Sequence, residues 1–256
     1  MTALGAPPSV AAMHSYSEDL RTVRTVKALI FDFYGTVVDM QSGLVRVITP
    51  YLQEKGYEGE PSNAVTWWRR THFENSMIDA LLHREHTPYR EIGHRAVAQT
   101  LTRAGIEHTR GEVERLVSAI ERLDPFPDVI EALTALHSRY KLIILSNGDP
   151  DMLERGTAHV GFPFDEVISV AKAGSFKPHV VTYRTACEIV GLEPHEVLFV
   201  ANHEFDCVGA KAFGMRTAYV NRRQRPFGET PHLPDLTVPH FEGLAEAMGV
   251  TSPAAA

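Results

Sequence analysis

Asp32 is the side chain of this sequence that is best placed to act as a nucleophile. It ends the apolar run Ala28-Leu29-Ile30-Phe31, and Gly35 and Thr36 follow after two aromatic residues. An apolar run without polar alternation is typical of a strand buried on both faces of a parallel sheet. Ligands bind beyond the carboxyl ends of such strands, where a carboxylate meets substrate while the sheet fixes its backbone. The alternative is that Asp32 only caps a turn.

Polar residues recur in three later stretches of the chain. Ser146-Asn147-Gly148 offers a hydroxyl, an amide and a glycine that lets backbone N–H groups approach an anion. Lys177 precedes Pro178, and the stretch Ala201-Asn202-His203-Glu204-Phe205-Asp206 ends on a second carboxylate. Taken singly, each stretch has an alternative without function: Ser146 and Asn147 could form a turn, Lys177 could be a solvated charge, and Asp206 could be an N-cap. Because they follow predicted strands in order, we expect all four stretches to meet at one edge of a sheet.

The elements that would position these residues follow from hydrophobic periodicity and turn residues. Strands are predicted at 28–31, 142–146, 166–170, 197–200 and 217–220, with helices between them, one of which opens at Pro178. Alternating strands and helices imply right-handed crossovers. The sequence therefore predicts an α/β fold with a doubly wound, Rossmann-like parallel sheet.

A long helical segment separates the first two predicted strands. Its helices are predicted at 43–55, 62–83, 88–103 and 110–123. We therefore expect a helical cap domain at 43–124, inserted into a core domain formed by residues 26–42 and 125–250. Residues 1–25 and 251–256 lack periodicity and are expected to be flexible tails.

Composition narrows the classes of function. The chain has 256 residues, a formal net charge of −7 and no basic patch, which argues against nucleic-acid binding. It contains no apolar run of the ~20 residues that a membrane span needs, and residues 1–25 do not resemble a signal peptide. Cys187 and Cys207 form no disulfide framework, and the histidines form no ligand pair with acidic support. We therefore expect a cytoplasmic protein.

The order of the four stretches resembles the haloacid dehalogenase superfamily over about residues 26–250, and the helical insertion resembles its mobile cap. Phosphatases of that superfamily place an acid two residues after the nucleophile, and two acids in the fourth motif hold Mg²⁺. This chain has Tyr34 and Asn202 at those places. These departures resemble the L-2-haloacid dehalogenase (type II) branch. The resemblance implies a homodimer that binds a small-molecule 2-substituted carboxylate and needs no metal or cofactor.

The resemblance implies a role for each matching residue. Asp32 would be the nucleophile, Lys177 would keep it ionised, and Asp206 would activate water. Arg69, which follows Trp68 in the second cap helix, would receive the departing halide. The expected substrate-binding residues are Phe33, Tyr34, Thr36, Ser146, Asn147, Tyr183, Asn202, His203 and Phe205.

The resemblance implies hydrolysis of small L-2-haloacids, or other 2-substituted carboxylic acids, to 2-hydroxy acids through an aspartyl ester. The fourth motif departs from the branch's usual Ser-Ser-Asn, because Ala201 and His203 replace its first and third residues. His203 either positions water or is only a satisfied imidazole. A Mg²⁺-dependent phosphatase, a hydrolase that opens azetidine-2-carboxylate and an inactive binding protein are the alternatives.

Overall fold

The computed structural model describes residue 21 and residues 23–82 and 85–250. The remainder of the predicted tails, and the predicted helix end at residue 83, lie outside the described residues. Residues 23–25 differ from the expected tail. Val23 is buried, and the Arg24 guanidinium donates a hydrogen bond of 2.7 Å to the carbonyl of Ala247. This segment therefore packs against the part of the chain around Ala247.

A parallel sheet of six strands forms the centre of the molecule, in the order β3-β2-β1-β4-β5-β6. Its strands are β1 (Ala28–Phe31), β2 (Lys141–Ser146), β3 (Glu166–Ser169), β4 (Val197–Ala201), β5 (Arg216–Val220) and β6 (Leu236–Val238). In β1, Ile30 lies opposite Ile143 of β2 and Phe199 of β4. The apolar run is thus the middle of a sheet covered on both faces. The strand order reverses at β1, and ligands bind at such a switch point in open α/β sheets.

Helices surround the sheet and fill the insertion after β1. They are α1 (Met40–Glu54), α2 (Pro61–Leu81), α3 (Tyr89–Arg103), α4 (Arg110–Ser118), α5 (Val129–His137), α6 (Pro150–Val160), α7 (Val180–Val190), α8 (Glu204–Phe213) and α9 (Phe241–Ala247). The described helices include none that is long and apolar enough to cross a membrane.

Several helix ends differ from the predicted ones because side chains cap them. Helix α1 begins at Met40 rather than at residue 43, since the Asp39 carboxylate accepts the Ser42 N–H at 3.0 Å. Helix α7 begins at Val180 rather than at Pro178, because His179 Nδ1 accepts the Val181 N–H. The fourth helix of the insertion ends at Ser118 and continues as a 3₁₀ turn to Arg122.

Two neighbouring backbone segments connect the inserted helices to the sheet. Asp39 N–H donates to the carbonyl of Asp124 at 2.9 Å, and Phe126 N–H donates to Val37 at 3.1 Å. The guanidinium of Arg222, which follows β5, donates to both oxygens of Asp128 and to the carbonyl of Thr36. These bonds fix the point at which the insertion leaves and re-enters the core.

Candidate active site

The structure brings the four polar stretches together at the carboxyl end of the sheet. Asp32 follows β1, Ser146 ends β2, and His203 follows β4. Lys177 reaches them from the segment between β3 and α7. All four side chains line one cavity of about 580 Å³, and residues of α1, α2 and the start of α3 also contribute to its wall.

Asp32, Lys177 and Asp206 form a buried cluster of charges. Lys177 Nζ donates to Asp32 Oδ1 at 2.9 Å, to Asp206 Oδ2 at 2.7 Å and to the carbonyl of Leu145 at 2.9 Å. The side chain of Lys177 is 1% exposed and that of Asp206 is 0% exposed. Two carboxylates therefore share one ammonium group, which leaves the cluster with a net negative charge.

The pKa values of the two carboxylates are shifted in opposite directions, although Lys177 favours the ionised form of both. Burial opposes ionisation of Asp32, but Lys177, His203 and Thr36 together hold its pKa well below its usual range. Burial raises the pKa of Asp206, and repulsion from Asp32 adds to this effect against the attraction of Lys177. Asp32 is therefore the carboxylate whose ionised form is stabilised more strongly.

The second oxygen of Asp32 has its own pair of partners. Thr36 Oγ1 donates to Oδ2 at 2.7 Å, and His203 Nδ1 lies 3.2 Å from the same oxygen. Since an ionised carboxylate only accepts hydrogen bonds, we assign a proton to His203 Nδ1. Thr36 Oγ1 also accepts the backbone N–H of Asn202 at 2.9 Å, which ties the loop after β4 to the loop after β1.

Gly35 allows these two loops to approach each other. Its φ of 87° lies in the left-handed region, and a Cβ there would lie 2.9 Å from His203 Cε1 and 3.1 Å from Arg69 Nη2. Any larger residue would therefore push on both the imidazole and the guanidinium.

Arg69 brings a positive charge from α2 into the cavity. Its Nη1 donates to Gln41 Oε1 at 2.9 Å. Burial lowers the pKa of the guanidinium to about 10, and the positive charge of Arg223 acts in the same direction. Arg69 therefore remains a cation at neutral pH, with a neutral partner.

Aromatic rings form the apolar part of the cavity wall. Phe73 of α2 packs against Phe205 of α8 with ring centroids 4.2 Å apart. Tyr34 stacks on Tyr89 of α3 at 5.8 Å with an interplanar angle of 7°. Both contacts join the inserted helices to the core beside the cavity.

The remaining predicted residues divide into those that line the cavity and those that lie behind it. Ser146 and Asn147 line it, and Asn147 Oδ1 accepts the backbone N–H of Lys177 at 3.0 Å. Tyr183 does not line it; its hydroxyl donates to Asp206 Oδ1 at 2.7 Å. Within the described part of the chain, the side chains of Phe33, Thr36, Asn202 and Asp206 also lie outside the cavity lining. The substrate contacts of Phe33, Thr36, Tyr183 and Asn202 stay predictions, and in the structure these residues lie behind the residues that line the cavity.

Sequence reasoning missed several residues of the cavity. Gln41 and His72 lie on inserted helices, and Arg223 and Arg225 lie on the segment after β5. Burial lowers the pKa of His72 to about 4, so its imidazole is neutral, and its Nε2 lies 3.0 Å from the carbonyl of Tyr89. Helical spacing from Arg69 could have indicated His72, whereas no local pattern indicates the two arginines.

Asp149 was missed as well, although it directly follows Ser146-Asn147-Gly148. Its two carboxylate oxygens accept the backbone N–H groups of Tyr89 and Arg90 at 2.8 and 3.0 Å. These are the first N–H groups of α3, which lack partners within the helix. A core residue thus caps a helix of the insertion. Across residues 23–82 and 85–250, no group of three or more His, Cys, Asp or Glu side chains is placed to hold a metal ion.

A carboxylate after the central strand of a parallel sheet, under an inserted set of helices, is the arrangement of a haloacid dehalogenase-type hydrolase. The family described as haloacid dehalogenase-like hydrolase matches residues 26–214, and the chain belongs to this family.

Relatives within the family point to one branch. The chain is 38% identical over 199 residues to the (S)-2-haloacid dehalogenase of Xanthobacter autotrophicus, covering 77% of this chain and 76% of that protein. It is 31% identical over 231 residues to the haloacetate dehalogenase H-2 of Moraxella sp. (strain B), covering 89% of this chain and 100% of the relative. The structure of the Xanthobacter autotrophicus L-2-haloacid dehalogenase with covalently bound chloropropionic acid superposes with a TM-score of 0.76 at 32% identity, covering 86% of this chain and 97% of that one. The predicted family and branch, and the predicted α/β fold, are confirmed.

Proposed function

We propose that the protein is a hydrolase of carbon–halide bonds that converts small L-2-haloacids to 2-hydroxy acids through an ester on Asp32. The observation that carries this proposal is a buried carboxylate held ionised by Lys177 beside a cavity that also contains the cation Arg69. Relatives named as (S)-2-haloacid dehalogenases, and one structure with covalently bound chloropropionic acid, support it.

In the first step, an oxygen of Asp32 attacks C2 of the substrate and the carbon–halogen bond breaks. The halide leaves with the bonding electrons toward Arg69, whose charge is screened little between the aromatic walls. Oδ1 is the proposed attacking oxygen, because it accepts a hydrogen bond from Lys177 alone, whereas Oδ2 accepts from both Thr36 and His203. Ser146 and Asn147 are the proposed contacts of the substrate carboxylate and the halide, with Tyr34 and Phe205 as apolar wall.

In the second step, water attacks the carboxyl carbon of Asp32 and the acyl–oxygen bond of the ester breaks. Negative charge develops on Oδ2, where the hydroxyl of Thr36 and the Nδ1–H of His203 are already aimed. Asp206 is the proposed base, because burial raises the pKa of its carboxyl and Lys177 bridges it to Asp32. The base returns the proton to the oxygen of the departing 2-hydroxy acid. Water supplies the new oxygen of Asp32, and Asp32 supplies the hydroxyl oxygen of the product.

A single turnover in ¹⁸O-labelled water, with enzyme in excess over 2-chloropropionate, tests the proposal. We expect an unlabelled product and one heavy oxygen in the peptide that contains Asp32. An Asp32→Asn variant that folds normally should release no halide. Labelled product after the first turnover would instead mean that water attacks C2 directly. Azetidine-2-carboxylate belongs in the same substrate panel, because it offers a carboxylate nucleophile a ring to open.

The phosphatase alternative is less consistent with the site. Tyr34 occupies the position of the general acid, and both Asp32 oxygens already accept hydrogen bonds. The Asp206 oxygens accept from Lys177 and Tyr183, so the two carboxylates do not form a cage that fits Mg²⁺. Activity toward para-nitrophenyl phosphate that depends on added Mg²⁺ would reverse this assignment.

We propose three features of organisation in addition. Residues 43–124 act as a cap over a core of residues 26–42 and 125–250, with the paired backbone segments near Asp39 and Phe126 as the hinge. The protein is cytoplasmic and forms a homodimer. The exposed apolar side chains of Trp67, Ile78 and Leu81 on α2 support the dimer, because they could pack in its interface. Its partner is a small carboxylate and not nucleic acid, consistent with its net charge of −7. Light scattering of the purified protein tests the dimer.

A further inference from the structure

The cavity contains more positive charge than a substrate with one carboxylate and one halogen requires. Its cationic lining residues are Lys177, Arg69, Arg70, Arg223 and Arg225. Among the described residues that line it, Asp32 is the sole carboxylate. The volume of about 580 Å³ also exceeds the needs of 2-chloropropionate, a molecule of very few atoms.

Three of these five cations already have an ion-pair partner or a proposed role. Lys177 is neutralised by two carboxylates. Arg70 pairs with Glu74 at 2.7 Å, one turn further along α2. Arg69 has a neutral partner and is assigned to the departing halide.

Arg223 and Arg225 remain without an assignment. Their guanidinium groups form no ion pair or hydrogen bond with the part of the chain that the structure describes. The positive charge of Arg223 also acts on Arg69. Like charges that face one cavity without a counter-ion repel each other, and a bound anion would relieve that repulsion.

The segment that carries the two arginines has a defined conformation. Asn221 Nδ2 donates to the carbonyl of Arg225 at 2.8 Å, and Arg225 N–H donates to Asn221 Oδ1 at 2.9 Å. Further along, Gly228 N–H donates to the carboxylate of Glu204 on α8. These bonds fix the backbone that carries Arg223 and Arg225, whose exposed side chains line the cavity.

We propose that Arg223 and Arg225 bind a second anionic group of the substrate, so that the preferred substrates are 2-halodicarboxylic acids of the 2-chlorosuccinate type. The proposal rests on the proposed function. The C2 carboxylate and the halogen occupy the inner cavity, and the distal carboxylate meets the two guanidinium groups. Guanidinium groups suit this task because they bind carboxylates with paired, charge-assisted hydrogen bonds.

Steady-state kinetics on substrates that differ only in the distal group tests the proposal. The panel is 2-chlorosuccinate, its distal amide and 2-chloropropionate. We expect the wild-type kcat/KM to be highest for the dicarboxylate. Arg223→Gln and Arg225→Gln should each lower that value roughly tenfold, the scale of a hydrogen bond to a charged group. The values for the amide and for 2-chloropropionate should change less than about threefold, because a neutral distal group gains little from the guanidinium charge.

Arg184→Gln is the matched control, because Arg184 is an exposed arginine on α7 outside the cavity lining. It should change none of the three values. Equal losses for all three substrates that vanish in high salt would mean that the arginines only steer anions, which overturns the proposal. A wild-type enzyme without preference for the dicarboxylate overturns it too.

Binding of unreactive acids separates this proposal from the proposed function. Succinate should bind the wild-type protein more tightly than propionate by calorimetry, and Arg223→Gln/Arg225→Gln should remove the difference. If no haloacid is turned over but succinate is still preferred, the proposed chemistry fails and the anion site stands. If haloacids are turned over and the two acids bind equally, the anion site fails alone.

Discussion

Replacing Lys177 with methionine is the sharpest test of the charge cluster. Methionine keeps much of the length and apolar volume of the lysine chain but removes the ammonium group. Three hydrogen bonds are lost, to Asp32, to Asp206 and to the carbonyl of Leu145. Both carboxylates are then buried beside each other without a cation.

The magnitude follows from the burial of the cluster. Removing one partner of a buried ion pair costs about 3–5 kcal/mol, because the remaining charge is left without compensation. With a urea m-value of about 3 kcal/mol per molar, the unfolding midpoint of Lys177→Met should fall by roughly 1–1.7 M at pH 8. Substrate turnover should be lost as well, since Asp32 would no longer be held ionised.

The loss of stability should depend on pH. In the wild-type protein the pKa of Asp32 is lowered, so the stability from its ionised form is present above about pH 4 and lost below it. In the variant, burial and mutual repulsion raise the carboxyl pKa values above that of the unfolded chain. The folded variant then binds more protons than its unfolded state, and it gains up to about 1.4 kcal/mol per pH unit as the pH falls. The difference between the two proteins should therefore shrink from pH 8 to pH 5.

Urea unfolding followed by circular dichroism at several pH values measures this difference. Lys211→Met is the control, because Lys211 also pairs with an aspartate, Asp235, but is more exposed and leaves Arg216 as a second partner. It should cost about 1 kcal/mol or less, with little change between pH 5 and pH 8. A pH-independent loss in Lys177→Met, or a loss no larger than in the control, would refute the reasoning about two carboxylates sharing one cation.

Three further predictions concern the loops and helices around the cluster. Gly35→Ala should lower kcat/KM at least tenfold and destabilise the fold by about 1–2 kcal/mol, since it adds a Cβ in a left-handed conformation against His203; steady-state kinetics and urea unfolding measure both, and unchanged kinetics would contradict it. Asp149→Ala should cost about 1–2 kcal/mol of stability, because α3 loses its cap. It should also raise KM, because Tyr89 at the start of α3 lines the cavity. An unchanged KM would exclude a role of Asp149 in the proposed closure of the cap. Arg69→Ala should cost roughly 3 kcal/mol of transition-state stabilisation, about a hundredfold in kcat/KM, and an unaffected value would remove Arg69 from halide binding.

Much of the sheet could be predicted because its strands are short apolar runs that end at turn residues. The run before Asp32 is buried on both faces in the middle of the sheet, which is why it lacks polar alternation. Strand β6 and helix α9 were missed because neither shows a clear pattern in the sequence. Strand β6 comprises Leu236–Val238, which is too short for a periodicity, and α9 follows almost at once.

The site was predictable only as far as the residues follow strands directly. Asp32, Ser146 and His203 occupy the carboxyl ends of β1, β2 and β4, so topology alone places them together. The division between lining and supporting residues was not predictable. Tyr183 is on a helix that faces the sheet, and only its packing shows that its hydroxyl reaches Asp206 and not the cavity.

The proposed closure of the cap and the lining of the cavity involve the same short stretch of chain. Ser146 and Asn147 line the cavity, and Asp149, just beyond them, caps α3 through the N–H groups of Tyr89 and Arg90. Tyr89 in turn stacks on Tyr34, close to the proposed nucleophile. The residues proposed to contact substrate and the carboxylate that caps α3 therefore lie within the stretch 146–149. A displacement of this stretch would change substrate contacts and closure together, which ties exclusion of water to correct binding.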